Sequence, residues 1–181
     1  LFISEWGPFK KPFHKNHDGY KKFHKCDIFF VKYLNKFCIN NDYKFFILGR
    51  PQTSARMVDE INFYNQFLDR KEWEYIRPEI KQKDSYKEID KHEIIASITS
   101  SLGYESLARQ NKTIIFDGRD SYSFGWPKKF EDNGFFWTAK YSQEELNRIM
   151  NFLMNIDEEK WKNMLNPIIK EIMVFDKNNK I

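Results

Sequence analysis

The stretch from Glu93 to Asp117, EIIASITSSLGYESLARQNKTIIFD, holds two apolar runs separated by a hydroxyl-rich turn and a short helix-like segment. Ile94 to Ile98 has no polar alternation and reads as a strand buried on both faces, followed by a polar turn at Thr99, Ser100 and Ser101. Gly103 to Arg109 then starts a helix, and Lys112 to Phe116 is the next strand. Two strands joined through one helix make a βαβ unit with parallel strands. Such a unit brings the carboxyl end of its first strand and the amino end of its helix together. Unpaired N–H groups and the helix dipole attract an anion there. The hydroxyls of Thr99, Ser100 and Ser101 add donors at the same point.

Outward from this unit the alternation of strands and helices continues. Between Tyr20 and Cys38, the residues Phe23, Cys26, Phe30, Leu34 and Phe37 recur every three or four positions, as one helix face requires, and Asn40, Asn41 and Asp42 end the run. Tyr43 to Leu48 reads as a strand closed by a Gly49–Arg50–Pro51 turn. A second helix carries Met57, Val58, Ile61, Tyr64 and Leu68, with Ser54 as its N-cap. Glu74 to Arg77 is a weaker strand, and Pro78 to Asp90 reads as a polar loop with a short helix at Tyr86 to Ile89. Beyond the central unit lie the aromatic loop SYSFGWPKKF (121–130) and a strand at Phe135 to Thr138, with Phe135, Phe136 and Trp137 expected in the core. Ser142 and Glu145 have capping-box spacing ahead of a helix bearing Leu146, Ile149, Phe152 and Leu153. A helix from Asp157 to Leu165 follows, and Pro167 is expected to start a separate last one.

This order predicts an α/β protein with a Rossmann-like, doubly wound parallel sheet of about five strands and helices on both faces. The apolar start LFISEW, followed by Gly7, Pro8 and Pro12, reads as a strand end or a linker leading into the domain, so residues 1–18 are assigned to a linker or the end of a preceding domain and 19–181 to the Rossmann-like domain. The chain begins with Leu1, which suggests a fragment or processed product. Three turns are expected on the ligand-binding edge of the sheet: 49–54, 99–105 and 117–123.

At 41% hydrophobic, 18% aromatic and 31% charged residues, the chain has a core and a solvated surface. Its net charge of +4 comes from Lys and Arg spread along the whole length, without the like-charge block of a nucleic-acid tail, so no nucleic-acid partner is expected. Two cysteines, Cys26 and Cys38, make neither a disulfide framework nor a four-ligand zinc site, and point to reduced, cytoplasmic chemistry. No apolar run approaches the roughly 18 residues that span a bilayer, leaving peripheral contact at the inner face of a membrane.

At the Thr99 to Glu105 turn, one reading is a phosphate held by Ser100, Ser101 and the helix amino terminus, with Glu105 one turn in to accept sugar hydroxyls. The other is a plain N-cap with an acid stabilising the dipole by about 0.3–1 kcal/mol. Arg50 is either an electrostatic anion contact or a solvated turn residue. Arg119, in DGRD, either completes an anion clamp or pairs with Asp117 or Asp120. Tyr122, Phe124, Trp126 and Phe130, with Lys128 and Lys129, either stack on a base, sugar or membrane surface, or close over the core. His14, His17 and His24 read as solvated residues at a helix start, since only Asp18 and Asp27 accompany them as acids. His92 falls at the far end of the sheet. No P-loop, GxGxxG or Gly-x-Ser-x-Gly motif is present, which removes the kinase, dehydrogenase and serine hydrolase readings.

The string SITSSLGYESLARQNKTIIFDGR (97–119) resembles a segment of nucleotide-sugar glycosyltransferases of the GT-B architecture, in particular those of surface-carbohydrate biosynthesis. The order of elements is similar from about Tyr43 to Ile172, but only this string is specific. The resemblance implies the carboxyl-terminal, donor-binding half of a metal-independent transferase acting on a CMP- or UDP-linked sugar. It places Ser100 and Ser101 at the nucleotide phosphate and Glu105 at the ribose; Thr99, Gly103, Arg50 and Arg119 complete the expected donor-binding residues on the reading of the turns themselves. It further implies an amino-terminal GT-B domain and a glycan or lipid-linked acceptor. Related Kdo and sialic acid transferases often carry His-Pro where this chain has Arg50 and Pro51, and arginine does not serve as a general base. The alternatives are a non-catalytic Rossmann-like binding module or a nucleotide-sugar epimerase.

Overall fold

The computed structural model describes residues 1–6, 18–50, 54–77, 82–119, 126–127 and 129–173. In chain order the elements are β1 (Phe2–Ile3), α1 (Asp18–Asn40), β2 (Phe46–Leu48), α2 (Ser54–Tyr64), β3 (Glu74–Ile76) and α3 (Gln82–Lys91). They continue with β4 (Ile95–Ser97), α4 (Ser101–Ala108), β5 (Thr113–Phe116), β6 (Trp137–Thr138), α5 (Gln143–Asn155) and α6 (Glu158–Ile172). The six strands form one parallel sheet in the order β3-β2-β1-β4-β5-β6, the Rossmann arrangement. The central βαβ unit forms as its pattern predicts, with Ile95, Ala96 and Ser97 opposite Thr113, Ile114 and Ile115.

Both faces of the sheet are covered. Phe2, Ile47, Ala96, Ile114 and Phe116 share the face on which α1 packs through Cys26, Phe30, Leu34 and Phe37. Ile3, Leu48 and Ile95 point the other way, onto Tyr86 and Ile89 of α3 and Leu102 of α4. A strand buried on two sides needs apolar residues at successive positions, which is why FIL, IAS and TIIF show no alternation. Helix α1 ends as expected, with Asp42 turning the chain at φ 58°. Ser142 Oγ caps α5 by accepting the Glu145 N–H.

Three expectations are corrected. The opening residues belong to the sheet itself: Phe2–Ile3 is an inner strand, paired with Ile47 and Leu48 on one side and with Ala96 on the other. Two strand residues are too few to show a period, and they raise the count from about five to six. The polar stretch before β4 holds a ten-residue helix, not one turn; among its described side chains Tyr86 and Ile89 pack into the core, too few to show a helical period in the sequence. Pro167 does not start a helix but lies within α6, which runs unbroken from Glu158 to Ile172. Proline removes one i→i−4 bond there, and the burial of Trp161, Leu165 and Ile169 along one face holds the helix together across it. The Gly7–Pro12 segment, Pro51, Asp120, Tyr122, Phe124, Lys128 and the two histidines His14 and His17 lie outside the described residues.

Candidate functional site at the switch point of the sheet

Helices α1 and α2 cover one face and α3 and α4 the other, so the winding changes sides between β1 and β4. In open α/β sheets this switch point leaves a crevice beyond the carboxyl ends of the strands, where ligands bind. Glu5 follows β1 and Thr99 follows β4, and the two meet across this gap. The Glu5 carboxylate accepts the Thr99 N–H and its hydroxyl, each at 2.7 Å. Arg119, beyond β5, donates to the same carboxylate and, at 2.9 Å, to Thr99 Oγ1. Its other terminal nitrogen donates to both oxygens of Asp27 on α1, at 2.8 and 2.7 Å. One guanidinium thus ties three strand ends and a helix together.

The group is dry. Side chains of Arg119 and Asp27 are each 2% exposed and that of Glu5 is 9% exposed. Two carboxylates share one cation, and burial pushes the Asp27 carboxyl up to about 6 despite the opposing pull of Arg119. His24, one turn earlier on α1, packs against the ring of Phe63 at 4.9 Å. Burial, helped by the Arg119 charge, lowers its pKa to about 4, so it is neutral at pH 7. The solvated histidine expected at position 24 is therefore a core residue. Burial likewise raises the Cys26 thiol to about 12, and both cysteines are free. Among the described residues no three His, Cys, Asp or Glu side chains gather as a metal site.

Asp27 and His24 titrate in opposite senses over one interval. Asp27 goes from an ordinary 3.8 to about 6 on folding, so its contribution to stability falls as pH rises through that window. His24 goes from 6.5 to about 4, so its contribution grows as pH rises. The two slopes oppose each other. Asp27→Asn is expected to leave stability rising between about pH 4 and 6, and His24→Phe to leave it falling. Urea midpoints across that range check this, and parallel pH profiles in both variants would refute it.

The residues singled out from sequence divide into two groups. Thr99 and Arg119 are in direct contact. Arg119 forms ion pairs with Glu5 and Asp27, two acids that were not among its expected partners. Ser100 is the N-cap residue of α4, extended at φ −67° and ψ 136°, and its side chain makes no capping bond. Ser101 is exposed and Glu105 half-buried in the first turns, while Gly103 is buried against Ser97. Among the described residues no acceptor meets the N–H groups of Ser101 and Leu102. Arg50 is exposed just past β2. It shares the edge with Thr99 but stands two strands away, about 10 Å at sheet spacing. Trp126 is buried, stacked on Tyr104 and Trp137, and Lys129 pairs with Glu171 at 2.6 Å. In the described part of the aromatic loop the core reading holds, and Phe136 and Trp137 are buried as expected.

Sequence reasoning passed over Glu5 and considered Asp27 only as an acid near the histidines, not as a partner of Arg119. Asp27 left a trace: it falls on the apolar face of α1 between Phe23 and Phe30, where an acid needs a buried cation. Glu5 left none, because its strand is too short to read.

Sheet order and crevice define a Rossmann-like α/β protein. The chain belongs to the family described as “putative O-antigen biosynthesis protein”, whose model matches residues 1–181, and this ties it to surface-carbohydrate biosynthesis. No curated protein and no solved structure matches it. Among the described residues no helix is long and apolar enough to cross a membrane.

Proposed function

We propose that the crevice between β1 and β4 holds the phosphate of a nucleotide sugar, and that the chain is the donor-binding part of a glycosyltransferase. The observation carrying this reading is the uncapped start of α4: Ser100 leaves the first turn without a side-chain acceptor, so the turn keeps backbone donors for an anion, and the hydroxyl-bearing Ser100 and Ser101 stand in the same turn. Glu5 fixes that turn by gripping Thr99. Glu105 stands one turn along α4 for a ribose hydroxyl, and Arg50 adds positive charge on the same edge. Arg119 is a positioning residue, acting through Glu5 and Thr99. The chemistry is displacement at the sugar carbon, with the leaving phosphate stabilised by the α4 amides; the acceptor and base come from a facing domain.

Calorimetric titration with UDP-, CMP- and GDP-sugars tests this. One class is expected to bind, and Ser101→Asp to weaken it at least about tenfold by placing a carboxylate where the phosphate sits. The same substitution favours the helix dipole, so it is not expected to lower stability. Heat from none of the three, or full binding by the Asp variant, sinks the proposal. The ion-paired charge of Arg119 favours one rival, a binding module without catalysis. It predicts donor binding with no sugar transfer even when the full-length protein and an acceptor are supplied.

A further inference from the structure

Away from the crevice, α1 and α5 lie side by side and leave a groove of about 660 Å³ between them, within the size range of small-ligand sites. The lining is regular. Helix α5 contributes Gln143, Asn147 and Asn151, and α1 contributes Lys32 and Lys36. Both series have a spacing of four, which stacks each along one helix face about 6 Å apart. A ladder of amides thus faces two lysines, of which Lys32 also carries its ammonium over the Phe67 ring at 6.0 Å. Tyr33 lies between them and donates its hydroxyl to Asn147 Oδ1 at 2.9 Å, leaving the amide nitrogen of Asn147 without an acceptor among the described residues. The side-chain amides of Gln143 and Asn151 likewise make no hydrogen bond among the described residues, and no carboxylate lines the groove.

We propose that this groove binds an acidic saccharide, such as a uronic-acid-containing segment of the glycan being built. An amide offers a donor and an acceptor side by side, matching a sugar hydroxyl that is also both. A phosphate group offers mainly acceptors and lacks the row of hydroxyls, each both donor and acceptor, that a saccharide sets against successive amides. The lysines, with no acid among the lining residues to neutralise them, attract an anion, and beside the amides that anion is the carboxylate of an acidic sugar. Phe29 and Tyr33 supply ring surface for a sugar face. The inference does not depend on a nucleotide site at the crevice.

The test titrates the whole chain with digalacturonate, with N,N′-diacetylchitobiose (chitobiose below) as a neutral disaccharide, and with inorganic phosphate. Digalacturonate is expected to bind more tightly than chitobiose, and phosphate not measurably. Lys32→Gln/Lys36→Gln is expected to lower digalacturonate affinity about tenfold and leave chitobiose nearly unchanged. Gln143→Ala/Asn151→Ala, which breaks no internal hydrogen bond, is expected to weaken both. UDP-, CMP- and GDP-sugar binding should not change in either double variant, so a failed nucleotide experiment leaves this one standing. The proposal is overturned if neither disaccharide binds, if neither double variant alters binding, or if phosphate or phosphatidylglycerol vesicles bind as well as digalacturonate.

Discussion

Arg119→Met is expected to lower the unfolding free energy by about 3–5 kcal/mol, the usual result of removing one partner from a buried ion pair. The change keeps the length and volume of the stem, so the loss comes from charge. Four hydrogen bonds to Glu5, Asp27 and Thr99 disappear, and two carboxylates stay behind in a place water hardly reaches. Asp27, already raised to about 6, would take up a proton at neutral pH, whereas Glu5 keeps the Thr99 donors. Arg119→Lys should fall between, since an ammonium carries the charge but cannot span both acids with a planar fork. Asp27→Asn should be milder than Arg119→Met, because burial already disfavours the Asp27 charge. Against a total stability of about 5–15 kcal/mol, the Met variant sits near the edge of folding. Urea unfolding measures it, and a loss below about 1 kcal/mol would show that water reaches the acids and screens them.

The second large effect is expected at Gly103→Ala. A Cβ there would lie 2.3 Å from Ser97 Oγ and 2.5 Å from Ser97 Cβ, so α4 and β4 must move apart. In an exposed helix the same change stabilises by about 1 kcal/mol. Overpacking costs about 1–3 kcal/mol, so crowding is expected to win and the variant to be less stable than wild type. Ser97 Oγ is buried with no hydrogen-bond partner among the described residues, so removing it breaks nothing. Ser97→Gly combined with Gly103→Ala is expected to recover most of the loss, a coupling that thermal unfolding of the four proteins in the cycle resolves. Equal losses in Gly103→Ala and the double variant would place the strain elsewhere. Because α4 carries the Ser100–Ser101 turn, the single variant should also disturb the crevice.

The legible parts of the fold were those with a period or an uninterrupted apolar run. Ile95–Ser97 and Thr113–Phe116 announced a doubly covered parallel sheet, and the spacing from Cys26 to Phe37 announced α1. Two residues of strand have no period, so Phe2–Ile3 was left outside the domain, as a strand end or a linker. Pro167 looked like a boundary because local rules weigh the lost hydrogen bond and not the buried face that outweighs it. At the site, the turn from Thr99 to Glu105 stood out through its hydroxyls and its place after a strand. Arg119 was recognised without its partners, since Glu5 lies 114 positions away in sequence and Asp27 lies 92. Pairings at that distance leave nothing in a local window.

Those distances bear on how the chain folds. The Ile95 to Phe116 unit closes through near neighbours, but β1 must find Ile47 on one side and Ala96 on the other before the two halves of the sheet become one. Closing long loops adds little to the equilibrium cost, which grows only with the logarithm of loop length. Rates respond more strongly to such distant pairings. The strand that joins the halves has the least local structure to guide it, and the Glu5–Arg119–Asp27 clamp exists only once it is seated. Folding speed, more than final stability, is where this topology makes itself felt.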